Sequence, residues 1–295
     1  MQLSIFKDAR YFQALFQCMF LCYGIVYLHW NAEWWLYTTY TLTCVLTQFV
    51  CEIIFNYQSQ QRFTAEWWSR VRMGMFSAMI SSFSLSLLLK TNHWYIAVGA
   101  ALITVLSKFM IRVNGKHVFN PSALGIAATI WLTGDAWISP GQWGNNAVIL
   151  FAVLSLGFIV TTRVQKLDTS LAFLFSFALL LYLRQIVYLG WPMDYFIQSV
   201  TTGSLLLFSF FMISDPRTTP DHRAARIIWA MGIAGLAFYL ATFKFINGAP
   251  VWVLVLAQPL VPLLDRLFKA KQFTWTRPAV SHATPVKLPT VYTPL

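Results

Sequence analysis

Apolar runs long enough to cross a bilayer recur along almost the whole of this chain, and they decide what it can fold into. A spanning helix needs about 20 predominantly apolar residues. Ten such candidates occur, some slightly short: 11–28, 34–55, 73–89, 94–111, 119–134, 145–162, 170–189, 197–213, 225–243 and 249–264. Hydrophobic residues make up 58% of the 295 residues and charged ones only 11%, against roughly 25% charged in soluble proteins. So little charge cannot solvate two soluble domains of that length, which excludes the soluble enzyme classes. The longest internal loop, about 56–72, is too small for a domain of its own, and no GxGxxG or GxxxxGK[ST] pattern is present. The sequence therefore predicts an all-α integral membrane protein, with about ten transmembrane helices in one polytopic domain over 1–268. Residues 269–295, with Pro278, Pro285, Pro289 and Pro294 and no apolar period, read as a disordered cytoplasmic tail.

A net charge of +11 in a soluble protein would suggest nucleic acid. Here the basic residues are scattered between the apolar runs, as topology signals are, so no nucleic-acid partner is expected and the lipid bilayer is. With ten spans, 18 of the 21 Lys and Arg fall on one side, and only Lys90, Arg184 and Lys244 on the other. The positive-inside rule then places both termini in the cytoplasm and the chain in the cytoplasmic (inner) membrane, multi-pass. Trp30, Trp34, Trp35, Trp67, Trp68, Trp94, Trp137, Trp143 and Trp191 lie at predicted span ends, where amphipathic indoles anchor.

Intramembrane charge marks function by default, yet the middle of every predicted span is free of it. Glu52, Asp135 and Asp215 sit at span ends and read as interfacial groups. The five histidines lie in loops, span ends or the tail, which leaves no pair for a haem. Cys18 and Cys22 share one helix face and Cys44 and Cys51 another, but neither spacing matches a ferredoxin pattern, so no metal site is predicted. What remains is interrupted backbone, tolerated in a membrane only where it is buried in protein or lines a cavity. Asn120-Pro121-Ser122-Ala123-Leu124-Gly125 opens the fifth span, Asn120 able to cap and Pro121 suited to a first helical turn. Thr201-Thr202-Gly203-Ser204 lies near the start of the eighth, and Asn247-Gly248-Ala249-Pro250 opens the tenth from the opposite face. Spans five and ten thus both begin with an Asn-then-Pro break on opposite sides. This predicts two inverted five-helix repeats, about 1–134 and 145–268, with a site between them.

At these residues the chain resembles a known family. Phe119-Asn120-Pro121-Ser122-Ala123, Thr202-Gly203-Ser204, Phe210-Phe211-Met212-Ile213-Ser214-Asp215-Pro216 and Gly248-Ala249-Pro250 through Asp265-Arg266 are similar in order and spacing to segments of the RnfD component of Rnf electron-transport complexes. The NqrB component of the sodium-translocating NADH:quinone reductase is a relative of RnfD. The resemblance covers about 119–266 and implies a short, divergent member: a membrane subunit of a redox complex, partnered by other membrane and redox subunits. It implies inverted five-helix repeats and a flavin. In the family, flavin mononucleotide (FMN) is joined to a threonine of an extracytoplasmic Ser-Gly-Ala-Thr-type motif in the loop after the Asn-Pro span. Here the corresponding loop, 134–145, holds no threonine, so covalent FMN is predicted to be absent.

The expected function is therefore an RnfD/NqrB-like electron-transport subunit with noncovalent FMN or riboflavin, its coupling to ion transport left open. Asn120, Pro121, Ser122, Gly125, Thr201, Thr202, Gly203, Ser204 and Asp215 are the residues expected to hold the cofactor or line its cavity. At most the chain is a cofactor-holding part of an oxidoreductase, and no catalytic residue is assigned. Two other readings stay open: a channel or carrier for a small neutral solute, and a membrane accessory protein of a specialised-metabolite cluster of the enediyne type.

Overall fold

The computed structural model describes residues 9–30, 33–58, 65–139 and 147–273. The predicted tail lies almost wholly outside these residues. Helices account for nearly all of the described chain: α1 (Ala9–Val26), α2 (Trp34–Gln58), α3 (Ala65–Leu88), α4 (Trp94–Met110), α5 (Pro121–Thr133), α6 (Ala147–Arg163), α7 (Leu167–Tyr182), α8 (Met193–Val200), α9 (Gly203–Leu207), α10 (Arg223–Phe243), α11 (Ala249–Ala257) and α12 (Val261–Leu267). A wide π-turn, Leu183–Tyr188, extends α7, and another, Phe208–Met212, extends α9. The protein is a multi-pass membrane protein. Among the described residues five helices are long and apolar enough to cross a bilayer, and a sixth span results if the pair Met193–Val200 and Gly203–Met212, bent by 46°, counts as one. Trp94–Met110, Pro121–Thr133 and Val153–Arg163 are shorter apolar helices.

The short helices are explained by where they begin. α5 has 13 residues, with Pro121 in its first turn and Asn120 as its cap. Asn120 is buried, so α5 starts inside the protein, where a side chain rather than water meets its first N–H groups. The last span is interrupted similarly. Pro259 and Pro262 each remove a backbone donor, and a 3₁₀ turn, Gln258–Leu260, joins α11 to α12. The break in the eighth span falls at Thr201–Thr202, as its Gly/Ser/Thr run suggests.

Small residues set a close helix contact. α4 packs on α5 where Gly125 meets Thr104 and the Ala100 carbonyl, and Ala97, Ala100, Ala101, Ala123 and Ala127 of these helices are all buried, the composition that lets membrane helices approach. In the first half α4 also packs on α2 and α3 on α1, while in the second α10 packs on α7 and the turn after α9 on α6. Two short two-stranded sheets close the ends. β1 (Leu89–Thr91) pairs antiparallel with β4 (Ala136–Ile138), and β2 (Arg112–Val113) with β3 (Lys116–His117). Residues 136–138 thus form a strand within what the sequence suggests is a plain loop.

The loops sort by face as the basic residues predict. Those around 112–117, 163–168, 215–222 and 265 bond to one another on one face, called here the basic face. The β1–β4 pair lies at the other end, where the N-terminus of α11 meets it: a Cβ on Gly248 would stand 2.1 Å from Ile138 Cδ1.

Candidate cofactor site

A cavity of about 200 Å³ opens between the two halves of the chain. One wall is α3, which presents Ser77, Ser81 and Ser84, spaced so that one helix face carries all three hydroxyls. Lys108 from α4 reaches across and donates to the Ser77 carbonyl at 3.2 Å and its hydroxyl at 3.3 Å. The opposite wall is the turn after α9, with Phe210, Phe211 and Met212. Phe210 lies where Gly157 of α6 leaves room, since a Cβ there would stand 2.7 Å from the ring.

Asn120 joins these walls. Its side-chain oxygen accepts the Ala123 N–H at 3.1 Å and so caps α5. Its Nδ2 donates to the Met212 carbonyl and to Asp215 Oδ2, both at 3.4 Å. Its backbone N–H donates to Gln258 Oε1 at 3.0 Å, and Gln258 is wholly buried in the break of the last span. One asparagine therefore ties the start of span five, the end of span eight and the break in span ten together. Asp215 Oδ1 accepts the Arg217 N–H at 3.0 Å, and the Asp215 carbonyl accepts the Thr219 hydroxyl at 3.1 Å. Burial pushes the Asp215 carboxyl above its usual range, against the pull of the Arg217 N–H and guanidinium.

The hairpin β2–β3 supplies the rim. Asn114 and Gly115 form its turn with φ of 52° and 77°, the left-handed pair that Asn-Gly supplies to a type I′ turn. The turn aims His117 into the cavity. Burial, then Arg112, Lys108 and Arg217, push the His117 imidazole down to about 3, so it is neutral at physiological pH. Its Nδ1 is buried and has no hydrogen-bond partner among the described residues.

Beyond the rim a cluster of buried charge locks the loops of the basic face. Lys116 Nζ lies 2.8 Å from Asp265 Oδ2, 3.0 Å from Asp221 Oδ2 and 3.1 Å from the Thr219 carbonyl. Lys166 donates to the Pro220 carbonyl at 3.0 Å. Burial and neighbouring Arg226 push the Lys166 ammonium down to about 8. Arg226 holds Asp168 through Nε and Nη2, at 2.9 Å to Oδ1 and 2.6 Å to Oδ2, fastening the start of α10 to that of α7.

Comparison with known proteins takes in two of these three segments. A model of the NQR2, RnfD, RnfE family matches residues 130–274, which include the turn after α9, Asp215 and the broken last span. Over these residues the chain is similar to the NQR2, RnfD, RnfE family. Its relatives include the D subunits of three ion-translocating oxidoreductase complexes. To that of Stutzerimonas stutzeri it is 34% identical over 74 residues, which is 25% of this chain and 21% of that one. To that of Halorhodospira halophila it is 23% identical over 280 residues, covering 70% and 78% of the two chains. To that of Vibrio atlanticus it is 23% identical over 175 residues, covering 59% and 47%. The matches thus span from about a fifth to about three quarters of the length of these relatives.

The structure divides the residues expected at the site. Asn120, Pro121, Ser122 and Asp215 line the cavity described above. Gly125 does not: it faces α4, where a Cβ would stand 1.8 Å from Thr104 Oγ1, so its role is close packing. Thr201, Thr202, Gly203 and Ser204 form the break between α8 and α9 and are not part of the cavity lining. Thr201 bonds to the Ile197 carbonyl and Thr202 to that of Ser199, which satisfies the interrupted backbone locally. Sequence reasoning missed Ser77, Ser81, Ser84, Lys108, His117 and Arg217. The three serines were legible as an i, i+4, i+7 stripe, and Asn114-Gly115 as a hairpin turn that would carry His117 inward.

Proposed function

We propose that this chain is a membrane subunit of an Rnf-type electron-transport complex in the cytoplasmic membrane, with both termini cytoplasmic and a noncovalent flavin in the cavity at Asn120. The observation that carries this reading is the meeting, at one asparagine beside a cavity, of the start of span five, the end of span eight and the break in span ten. In a membrane such breaks are tolerated at a cavity or inside protein. The fit of a flavin rests on the lining. Drug-sized ligands occupy about 300–1,000 Å³, while about 150 Å³ already admits benzene. At about 200 Å³ the cavity houses one end of a flavin, between the Phe210–Phe211 wall and the serine face. The unpartnered His117 Nδ1 is a polar group available to it.

A bound flavin supplies one- and two-electron redox chemistry. The protein's part is to orient it, exclude water and fix nearby charge. Asn120 and Gln258 hold the breaks rigid, and neutral His117 offers either a donor or an acceptor. Asp215, bonded to Asn120 and the Arg217 N–H, fixes the end of the eighth span. The inverted-repeat organisation is part of this proposal, and the matching helix pairings of the two halves support it. The loop after α5 has no threonine, so the flavin is released rather than retained on denaturation. Coupling to ion movement belongs to the whole complex.

Transport of a neutral solute draws less support. Phe211 packs on Phe16 with ring centroids 4.9 Å apart, and Phe16 on Phe20 at 5.8 Å. The cavity therefore backs onto an aromatic wall. Membership of a complex is tested by mild solubilisation, native electrophoresis and mass spectrometry of the band holding this chain. Co-migrating flavin- or iron–sulfur-binding subunits are expected. Migration as an isolated chain under every mild detergent would refute the reading.

A further inference from the structure

The last span ends in a run of bases that no described carboxylate neutralises. Leu260, Leu263 and Leu267 are exposed along it, at i, i+3 and i+7, so they share one helix face. The span, Ala249–Leu267, is long and apolar enough to cross a bilayer, and this leucine stripe faces acyl chains. At its end stand Arg266, Lys269 and Lys271, all exposed. Their side chains make no hydrogen bond or ion pair among the described residues. The acids of this corner are already engaged. Asp221 and Asp265 hold Lys116, and Asp168 holds Arg226 and, at 3.4 Å, Arg223. Asp168 and Asp221 also act on Lys166. Three carboxylates thus face four bases, which leaves no negative charge for the three beyond them. From Arg266 onward the sequence holds five basic residues and no Asp or Glu.

The start of α10 adjoins the same bases. The Asp221 N–H donates to Asp265 Oδ1 at 2.8 Å, and the His222 ring lies 5.7 Å from that of Phe268. α10 opens there without a side-chain cap, so its first N–H groups and its dipole add to the positive potential. We infer that this corner, where α12 ends against the start of α10, binds the headgroup of an anionic phospholipid, with the acyl chains along the leucine stripe. A phosphodiester accepts charge-assisted hydrogen bonds from lysine and arginine, and an anionic leaflet attracts bases that stand next to a span. The stripe favours a lipid over an acidic protein, because it sets the bases at headgroup depth beside the chains. The corner is separate from the cavity at Asn120 and keeps its charge whether or not that cavity holds a flavin.

The test uses the full chain in mild-detergent micelles that contain equal amounts of phosphatidylglycerol and phosphatidylcholine, with retained lipid counted by native mass spectrometry. Retention of phosphatidylglycerol over phosphatidylcholine by about tenfold or more is expected from three bases at the surface. The combined variant Arg266→Gln, Lys269→Gln, Lys271→Gln brings the ratio to within about twofold. Lys269 and Lys271 lie beyond the end of α12, so Lys269→Gln, Lys271→Gln keeps the test decisive if the triple variant does not fold, and loses most of the preference. Arg72→Gln, which removes an exposed base near the start of α3, retains it in full. Equal retention of the two lipids by the parent chain would overturn the inference. An equal loss in Arg72→Gln and in the triple variant would do so too, since it marks the charge of the whole face rather than a site. Displacement of phosphatidylglycerol by inorganic phosphate would assign the bases to a soluble anion instead. If the lipids bind equally and native electrophoresis shows an acidic subunit lost from the triple variant alone, the corner is a protein interface and the lipid inference falls.

Discussion

His117 shows how strongly the site depends on a single side chain. Its imidazole is held at about 3 by burial and by three basic neighbours, against about 6.5 in the unfolded chain. The folded value lies below the unfolded one, so the stabilising contribution is complete above pH 6.5. It is lost progressively as pH falls toward 3, because the unfolded chain takes up a proton that the folded one refuses. Between pH 7 and pH 5 this amounts to about 2 kcal/mol. Thermal unfolding in detergent should show a drop in Tm over that window, and His117→Gln should flatten it. An unchanged pH slope in the variant would count against a buried neutral imidazole. Gly125 makes a steric prediction instead. Gly125→Ala places a Cβ against Thr104 Oγ1 and should cost about 1–3 kcal/mol by overpacking. Thr104→Ala in the same chain should recover part of that loss of Tm, as coupled neighbours do. Additive losses would place the strain elsewhere.

Among the elements, the loops of the basic face behave as one unit. Lys116 on β3 is gripped by Asp221 and Asp265, whose side chains are largely buried. Lys116→Met leaves two carboxylates buried without their cation and should destabilise by about 3–5 kcal/mol, read as a fall in Tm or in yield of folded protein. The triple variant Lys116→Met, Asp221→Asn, Asp265→Asn should recover much of it, and no recovery would show that Lys116 acts through packing alone. The helices themselves were legible, because bilayer-length apolar runs carry their own boundaries. The breaks at Asn120-Pro121 and Thr201-Thr202 were legible too, because Pro and Gly state their backbone demands locally. The ion pairs were not. Lys116 and Asp265 are joined across 149 residues of sequence, and nothing local marks two charges as partners. For the same reason Lys108, Lys116, Lys166 and Arg217 read in sequence as topology signals. Folded, they serve as cavity lining and as loop clasps.

For the molecule as a whole, the alternation of basic residues said which loops share a face and nothing about the residues of the cavity. Apart from the Asn120–Ser122 run and the stretch from Phe210 to Pro216, the cavity groups come from positions that sequence reasoning passed over, because a cavity is made by tertiary packing rather than by any one segment. Gly125 and the Thr201–Ser204 run carried the pattern of a site and turned out to be packing and helix-break residues. Both roles draw on the same small and hydroxyl side chains, so composition cannot separate them. The functional reading stands or falls on whether the cavity at Asn120 holds a flavin by noncovalent contacts alone. The deciding experiment extracts the full chain in mild detergent, records its visible spectrum, precipitates it with acid and measures flavin fluorescence in the supernatant and in the pellet. A flavin spectrum is expected in the native protein, with its loss in Asn120→Ala and all of the fluorescence in the supernatant. Flavin that remains with the precipitated chain, or a native protein with no flavin spectrum, would overturn the reading.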